Sequence, residues 1–298
     1  MSRVAATGTI ESVSETTPRR FRRALRHNRI GDAAMSNPVV HNAVFIARTA
    51  RVAQNPIEVV KRQFGPDEIV PVTIRETGFT VFLRKLSDDL MMFHQIIGAD
   101  MYDPPPEVLN QLQSLGRPPR IADLGGNIGM FSVSAMKHYP YAKIIAMEPD
   151  PSSASVFQRT ISANSWQQQI ELLQAAAAVE DGTISFSAGE FHNSRVEDLD
   201  PEVVVTGNTT VDGLDTLPLL ADRDLIKIDI EGSEWQILED PRFTELPLRA
   251  VAMEWHSYGC SNSNPQLYAQ ELLERMGMLV RHDPGAVEAC GTLWAWRT

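Results

Sequence analysis

The stretch IADLGGNIGM, residues 121–130, decides how the rest of the chain is read. An apolar run closes on Asp123, and Gly125, Gly126 and Gly129 follow at once. Glycine removes the Cβ atoms that would hold a turn away from its ligand, so a strand, such a turn and then a helix mark a nucleotide-type crevice. Asp123 complicates that reading, because a carboxylate at the mouth of the turn repels a phosphate.

Downstream of Arg120 the pattern alternates between short strands and helices. RIADLG, KIIAMEP, IELLQAAAAV (170–179), DLIKIDIEG and RAVAMEWH read as strands, with TISFSAG an added β-segment and LVRHD and GTLWAWRT closing the chain. GMFSVSAMKHY, DPSSASVFQRTISAN, SEWQILED and NPQLYAQELLERMG read as helices. Asp150 or Ser152 caps the second, and Asn264, Pro265 and Gly277 delimit the last. The alternation predicts an α/β fold, a doubly wound, mostly parallel sheet with helices on both faces and its ligand beyond the carboxyl ends of the strands.

Three regions are expected. Residues 1–35 form a flexible basic segment, 36–118 an extension of helices and a β-hairpin, and 119–298 the ligand-binding domain. The hairpin is signalled by two alternating runs, 69–86, around Glu76-Thr77-Gly78; Ser87 then caps a helix that Pro104–Pro106 break. The extension is expected to lid the site or to make a homo-oligomer contact.

The net charge of -11 is unevenly spread: residues 1–62 carry eleven basic and four acidic side chains, a net of +7, and the rest a net of -18. So acidic a body argues against nucleic acid as the main partner. PRRFRRALRHNR (18–29) reads as a loosely docked terminus ahead of a targeting helix, a membrane-surface helix or a nucleic-acid arm. No apolar run is long enough for a membrane span and no signal peptide opens the chain. Cys260 and Cys290 form neither a disulfide framework nor a zinc pattern, which points to a reduced, cytoplasmic setting.

Dinucleotides and S-adenosylmethionine both use this crevice, and Glu148, ending the second strand, suits a ribose diol in either. GGNIGM (125–130) fits G-x-G-x-x-G in no register. S-adenosylmethionine carries an ammonium and a sulfonium in place of phosphates, and a carboxylate at the first strand end can pair with that ammonium. Asp123 thus fits a cationic ligand.

Residues 120–256 resemble the FkbM family of S-adenosylmethionine-dependent methyltransferases, mostly O-methyltransferases. The resemblance is carried by DLGGNIGMFS (123–132), AMEPDPSSASVFQRTISAN (146–164), TTVDGLDTL (209–217) and above all LIKIDIEGSEWQIL (225–238). FHQIIGADMYDPP (93–105) is similar to a tyrosine-and-acid patch common ahead of the family's first motif. The resemblance implies a Rossmann-like class I methyltransferase sheet. It also implies that Asp123, Gly125, Asn127 and Gly129 line the methionine part, Glu148 holds the ribose, Pro149 and Asp150 flank the adenine, and Ala175 and Ala176 lie near its ring.

Methyl transfer from a sulfonium needs a positioned nucleophile and, for an alcohol, a proton acceptor. Asp229 and Glu231 in KIDIEG, and Glu254 and His256 in MEWH, are the candidates; residues two apart on a strand project to one face. In one reading His256 or Asp229 is the general base. In the other, less favoured, Asp229, Glu231, Glu254 and His256 supply ligands to a divalent metal. Asp229 and Glu231 pairing with Lys227, or capping the helix near Ser233, is the plain structural alternative. Tyr102 and His192 are weaker candidates for substrate contact, and Met91, Met92, Trp235, Trp255 and Trp294 read as core. The leading expectation is an O-methyltransferase acting on a small-molecule hydroxyl; an NAD-binding oxidoreductase and a non-catalytic cofactor-binding scaffold stay open.

Overall fold

Apolar and β-branched runs pair where the alternation places them, in a computed structural model that describes residues 47–63, 65–66, 68–85, 87–187, 208–283 and 289–298. The basic segment 18–29 and His192 lie outside the described residues. Residues Arg48–Thr298 pack as one unit.

The expected helical part of the extension is interrupted where it is described: residues 47–52 are helical, Ala53 bridges Ile74, and α1 (Pro56–Gln63) restarts at a proline. β1 (Ile69–Thr73) and β2 (Thr80–Arg84) form the hairpin, in register Ile69↔Arg84 to Thr73↔Thr80. Asn164 fastens it by accepting from Thr80 N at 2.9 Å and donating to Thr80 O at 2.7 Å. α2 (Asp89–Met92) runs into a π-helical turn at Phe93–Ile97. Ser87 stands just outside the Asp88 cap position, its Oγ accepting from Asp89 N at 3.3 Å. The prolines do more than break a helix, since Pro106 opens α3 (Pro106–Gln113). Met91, expected in the core, is exposed, whereas Trp235, Trp255 and Trp294 are buried.

β3 (Arg120–Leu124), α4 (Met130–His138), β4 (Lys143–Met147), α5 (Pro151–Ala163) and β5 (Ile170–Leu173) then alternate as read. Asp150 Oδ1 accepts from Ser152 N at 2.8 Å, so Asp150 is the cap of α5. The strand read over 170–179 is two strands: β5 stays in the main sheet, and β6 (Ala176–Ala178) leaves it to pair with β8 (Asn208–Asp215), which also takes β7 (Gly182–Ser187). Gln174 and Ala175 between them make no ladder pairing, which lets the chain change sheets.

α6 (Leu217–Leu220), β9 (Leu225–Ile228), α7 (Glu234–Glu239), α8 (Pro241–Thr244), β10 (Ala250–His256), α9 (Pro265–Arg275), β11 (Leu279–His282) and β12 (Cys290–Trp296) complete the fold. The main sheet runs β11-β12-β10-β9-β3-β4-β5, parallel except at β12. This is the Rossmann-like sheet that the family resemblance implies, with the antiparallel β12 slotted between β11 and β10. Successive strands leave β3 toward β5 on one side, and β9 returns on the other. The crevice therefore opens beyond the ends of β3 and β9, where the strand order reverses.

Candidate active site at the strand ends

The glycine turn is folded back onto β4: Gly125 N and Gly126 N both donate to Met147 O, at 3.0 and 2.8 Å. Gly125 has φ +75, and a Cβ there would overlap the carbonyl of Asp229. Gly129, at φ +89, caps α4 against the ring of the buried Phe157. Glycine is thus required by packing as well as by backbone angle. Asn127 between them is also left-handed, at φ 47.

Glu148 bridges this turn to the next loop. Its Oε2 accepts from Asn127 N at 2.7 Å and its Oε1 from Asp150 N at 2.8 Å. Burial raises its pKa to about 7 in spite of those two donors. Pro149 and Asp150 follow between β4 and α5, while Ala175 and Ala176 are buried where β5 gives way to β6.

Asp123 corrects the sequence reading. It is 0% exposed and lies beneath the turn, not at its mouth. Its Oδ2 accepts from Ser132 Oγ at 2.7 Å, and its Oδ1 stands 3.5 Å from Lys227 Nζ. The parallel register sets Asp123 beside Lys227, so the ammonium it meets in the folded chain is the protein's own. Lys227 also ion-pairs with Asp229 at 3.5 Å and donates to Leu124 O and Gly125 O at 3.1 and 2.6 Å. Burial works against its charge, but Asp229 and Asp123 outweigh burial and raise its pKa.

Asp229 and Glu231 do not share a strand face. β9 ends at Ile228, Glu231 is left-handed at φ 52, and Gly232 follows at φ +92 as the chain turns into α7. Tertiary folding nevertheless brings the acids to one place. The ligand atoms of Asp229, Glu231 and His256 lie within 4.8 Å of one another. Tyr102, expected only as a weak substrate contact, donates its hydroxyl to Asp229 Oδ2 at 3.3 Å. The Tyr258 hydroxyl donates to Glu231, whose Oε2 is 3.5 Å from His256 Nε2. Glu254 joins the group electrostatically: burial, then the charge of Asp229, raises its pKa to about 7. Burial and Asp229 likewise lift Glu231 to about 6, against His256.

His256 donates its N–H to Glu234 Oε1 at 2.7 Å, and its ring Nδ1 lies 3.0 Å from the same oxygen. Burial disfavours the imidazolium, but Glu234, Glu231 and Asp229 prevail and raise its pKa to about 10. Carboxylates on both sides thus favour the imidazolium, which weighs against the general-base role considered for His256. The helix-start alternative is met by another acid: Gly232 N donates to Glu234 Oε2 at 2.8 Å. Lys227 as a double partner, Glu234 and Tyr258 were missed as site residues. Tyr258 continues the two-residue spacing of Glu254 and His256, and that was its signal.

The crevice therefore gathers Glu148, Asp229, Glu231 and Glu254 around Lys227 and His256, while Asp123, buried with Lys227, has its Oδ1 without a hydrogen-bond partner. An anion excess fits a ligand bearing ammonium and sulfonium groups and opposes a diphosphate. The family model for the methyltransferase FkbM domain matches residues 123–269. This chain carries an FkbM methyltransferase domain.

The match begins at Asp123 and ends at Ala269 inside α9. "Methyltransferase 1" of Beauveria bassiana is 27% identical over 185 residues, covering 54% of this chain and 72% of that protein. "Methyltransferase sdnD" of Sordaria araneosa is 29% identical over 203 residues, covering 55% and 75%. A crystal structure of Methyltransferase FkbM from Methylobacillus flagellatus KT aligns over 88% of this chain and 60% of that one, at 15% identity and a TM-score of 0.43. Strand order, rather than that likeness, carries the fold. The protein is a methyltransferase, and the FkbM domain and its fold imply S-adenosylmethionine as donor. Among the described residues no helix is long and apolar enough to cross a membrane.

Proposed function

We propose that this methyltransferase methylates a hydroxyl of a small molecule, with a sugar, glycolipid or polyketide-type natural product as the acceptor class. The observation that supports this is the meeting of Asp229, Glu231, Glu254 and Tyr102 where the end of β9 abuts the glycine turn. When bound, S-adenosylmethionine supplies a methyl already activated on its sulfonium. Gly125, Asn127 and Gly129 line its methionine part, with Asp123 acting from below through Lys227. Glu148 accepts from the ribose hydroxyls, and Pro149, Asp150, Ala175 and Ala176 border the adenine. Asp229, whose side chain is 19% exposed, accepts the acceptor hydroxyl's proton as the oxygen attacks the methyl carbon. Tyr102 and Lys227 fix its carboxylate. His256 stays protonated and offsets the charge that collects on the acids.

Incubation with methyl-labelled S-adenosylmethionine and a panel of alcohols, phenols and amines tests this. Label on oxygen is the expected result; label on nitrogen or carbon, or tight NAD binding with none of S-adenosylmethionine, overturns it. Asp229→Asn is expected to abolish turnover while keeping S-adenosylhomocysteine binding. A second reading is favoured by one observation, the carboxylate that holds His256 Nδ1 while Nε2 faces Glu231, as in metal-bound histidines. Asp229, Glu231 and His256 would then hold a divalent cation that lowers the pKa of the acceptor hydroxyl. Activity that survives EDTA supports the metal-free site; activity that returns only with magnesium or manganese supports the metal.

A further inference from the structure

The glycine turn, proposed to line the donor's methionine part, and the loop after β4, proposed to hold its ribose and adenine, are tied together by a residue from outside the FkbM match. Arg84, the last residue of β2, is buried and grips Asp89 with both arms of its fork. Nε donates to Oδ2 at 3.0 Å and Nη2 to Oδ1 at 2.9 Å, while the Arg84 backbone N–H donates to Oδ2 at 2.7 Å. From that anchor Nη1 donates to Ser152 Oγ and Ser153 Oγ at 2.9 and 3.0 Å, and Nη2 reaches Asn127 Oδ1 at 3.5 Å.

These contacts close a ring. Ser152 Oγ and Ser153 Oγ donate to Asp150 Oδ2 at 3.3 and 3.2 Å, Asp150 N donates to Glu148 Oε1, and Asn127 N donates to Glu148 Oε2. Asn127 belongs to the glycine turn after β3; Glu148 and Asp150 belong to the loop after β4. A planar guanidinium with fixed donor directions holds several acceptors at set angles, which a flexible ammonium does not. Removing it loosens both loops at once, and with them the carboxylate between them.

We infer that Arg84, held by Asp89, is a positioning residue for the adenosyl half of the donor site, so that the hairpin preceding the FkbM domain is a working part of cofactor binding. The inference rests on S-adenosylmethionine occupying this crevice and is independent of the acceptor. Because the short contacts of Arg84 go to Ser152 and Ser153 of the ribose-and-adenine loop and only the 3.5 Å one goes to Asn127, the loss should fall mainly on the adenosyl half.

Calorimetry of the full chain with S-adenosylhomocysteine and with 5′-methylthioadenosine, which lacks the amino-acid portion, tests it. Arg84→Met is expected to weaken both ligands by the same factor, about tenfold. Arg84→Lys should lie closer to the methionine variant than to wild type, because it restores charge without the fork. Should Arg84→Met fail to fold, the Ser152→Ala/Ser153→Ala pair keeps the Arg84–Asp89 grip and is expected to cost about threefold for both ligands. Lower melting temperature with unchanged affinities would reduce Arg84 to a stabilising contact and overturn the inference. Loss confined to S-adenosylhomocysteine would overturn it as well. Failure of wild type to bind either ligand would instead refute the donor-site reading on which it stands.

Discussion

Replacing Gly129 with alanine tests the packing of the cofactor turn and separates two costs. The first is conformational: at φ +89 an L-residue is strained by about 1–2 kcal/mol. The second is steric: the new Cβ would stand 2.9 Å from Cγ of Phe157 and closer still to the ring edge. Phe157 is 0% exposed and cannot swing into solvent, so overpacking adds about 1–3 kcal/mol. The sum, about 2–5 kcal/mol, corresponds to roughly 4–20 °C in melting temperature for a domain of this size. Phe157→Ala alone costs about 3–5 kcal/mol through its cavity, but it removes the ring. In that background Gly129→Ala should cost only the conformational part, so the double-mutant cycle should show about 1–3 kcal/mol of coupling that favours the pair. Urea titration followed by circular dichroism measures all four proteins. An equal cost for Gly129→Ala in both backgrounds would refute the steric argument.

Lys227→Met leaves Asp123 and Asp229 unpaired and should destabilise by about 3–5 kcal/mol, part of which Asp123→Asn in the same chain restores; a cost below about 1 kcal/mol in urea titration would contradict the role given to this lysine. His256, raised from 6.5 to about 10, holds in the folded chain a proton that the unfolded chain releases near 6.5. Its stabilisation is therefore complete below pH 6.5 and lost as pH rises toward 10. Glu254, raised from 4.5 to about 7, adds a loss of the same sign between those values. The urea midpoint should fall across these windows, and Glu234→Gln should flatten the upper one; a profile that variant leaves unchanged would argue against it.

Much of this protein was legible along the chain. The strand–turn–helix at 121–138, the Asp150 cap and the Asn264, Pro265 and Gly277 signals are local, because neighbours in sequence fix backbone angles and the buried face. The same rules failed where a partner was distant. The alternation within 170–179 gave no warning that β6 leaves the main sheet, since β8, whose pairing draws it away, begins at Asn208. The spacing of Asp229 and Glu231 implied a shared face only if β9 continued, and the left-handed Glu231 ended it.

What the sequence by itself determined was the kind of site: a glycine turn, an acid after the second strand, and acids beyond the fourth and on the fifth. Tertiary structure alone decided which charges face one another. Strand register set Lys227 against Asp123, the turn after β9 brought Glu231 to Tyr258, and the hairpin carried Arg84 to Ser152 across sixty-eight positions of chain. Periodicity encodes which face of an element is buried, whereas the strength of a charge pair depends on the distance and solvent between groups that only the folded chain brings together.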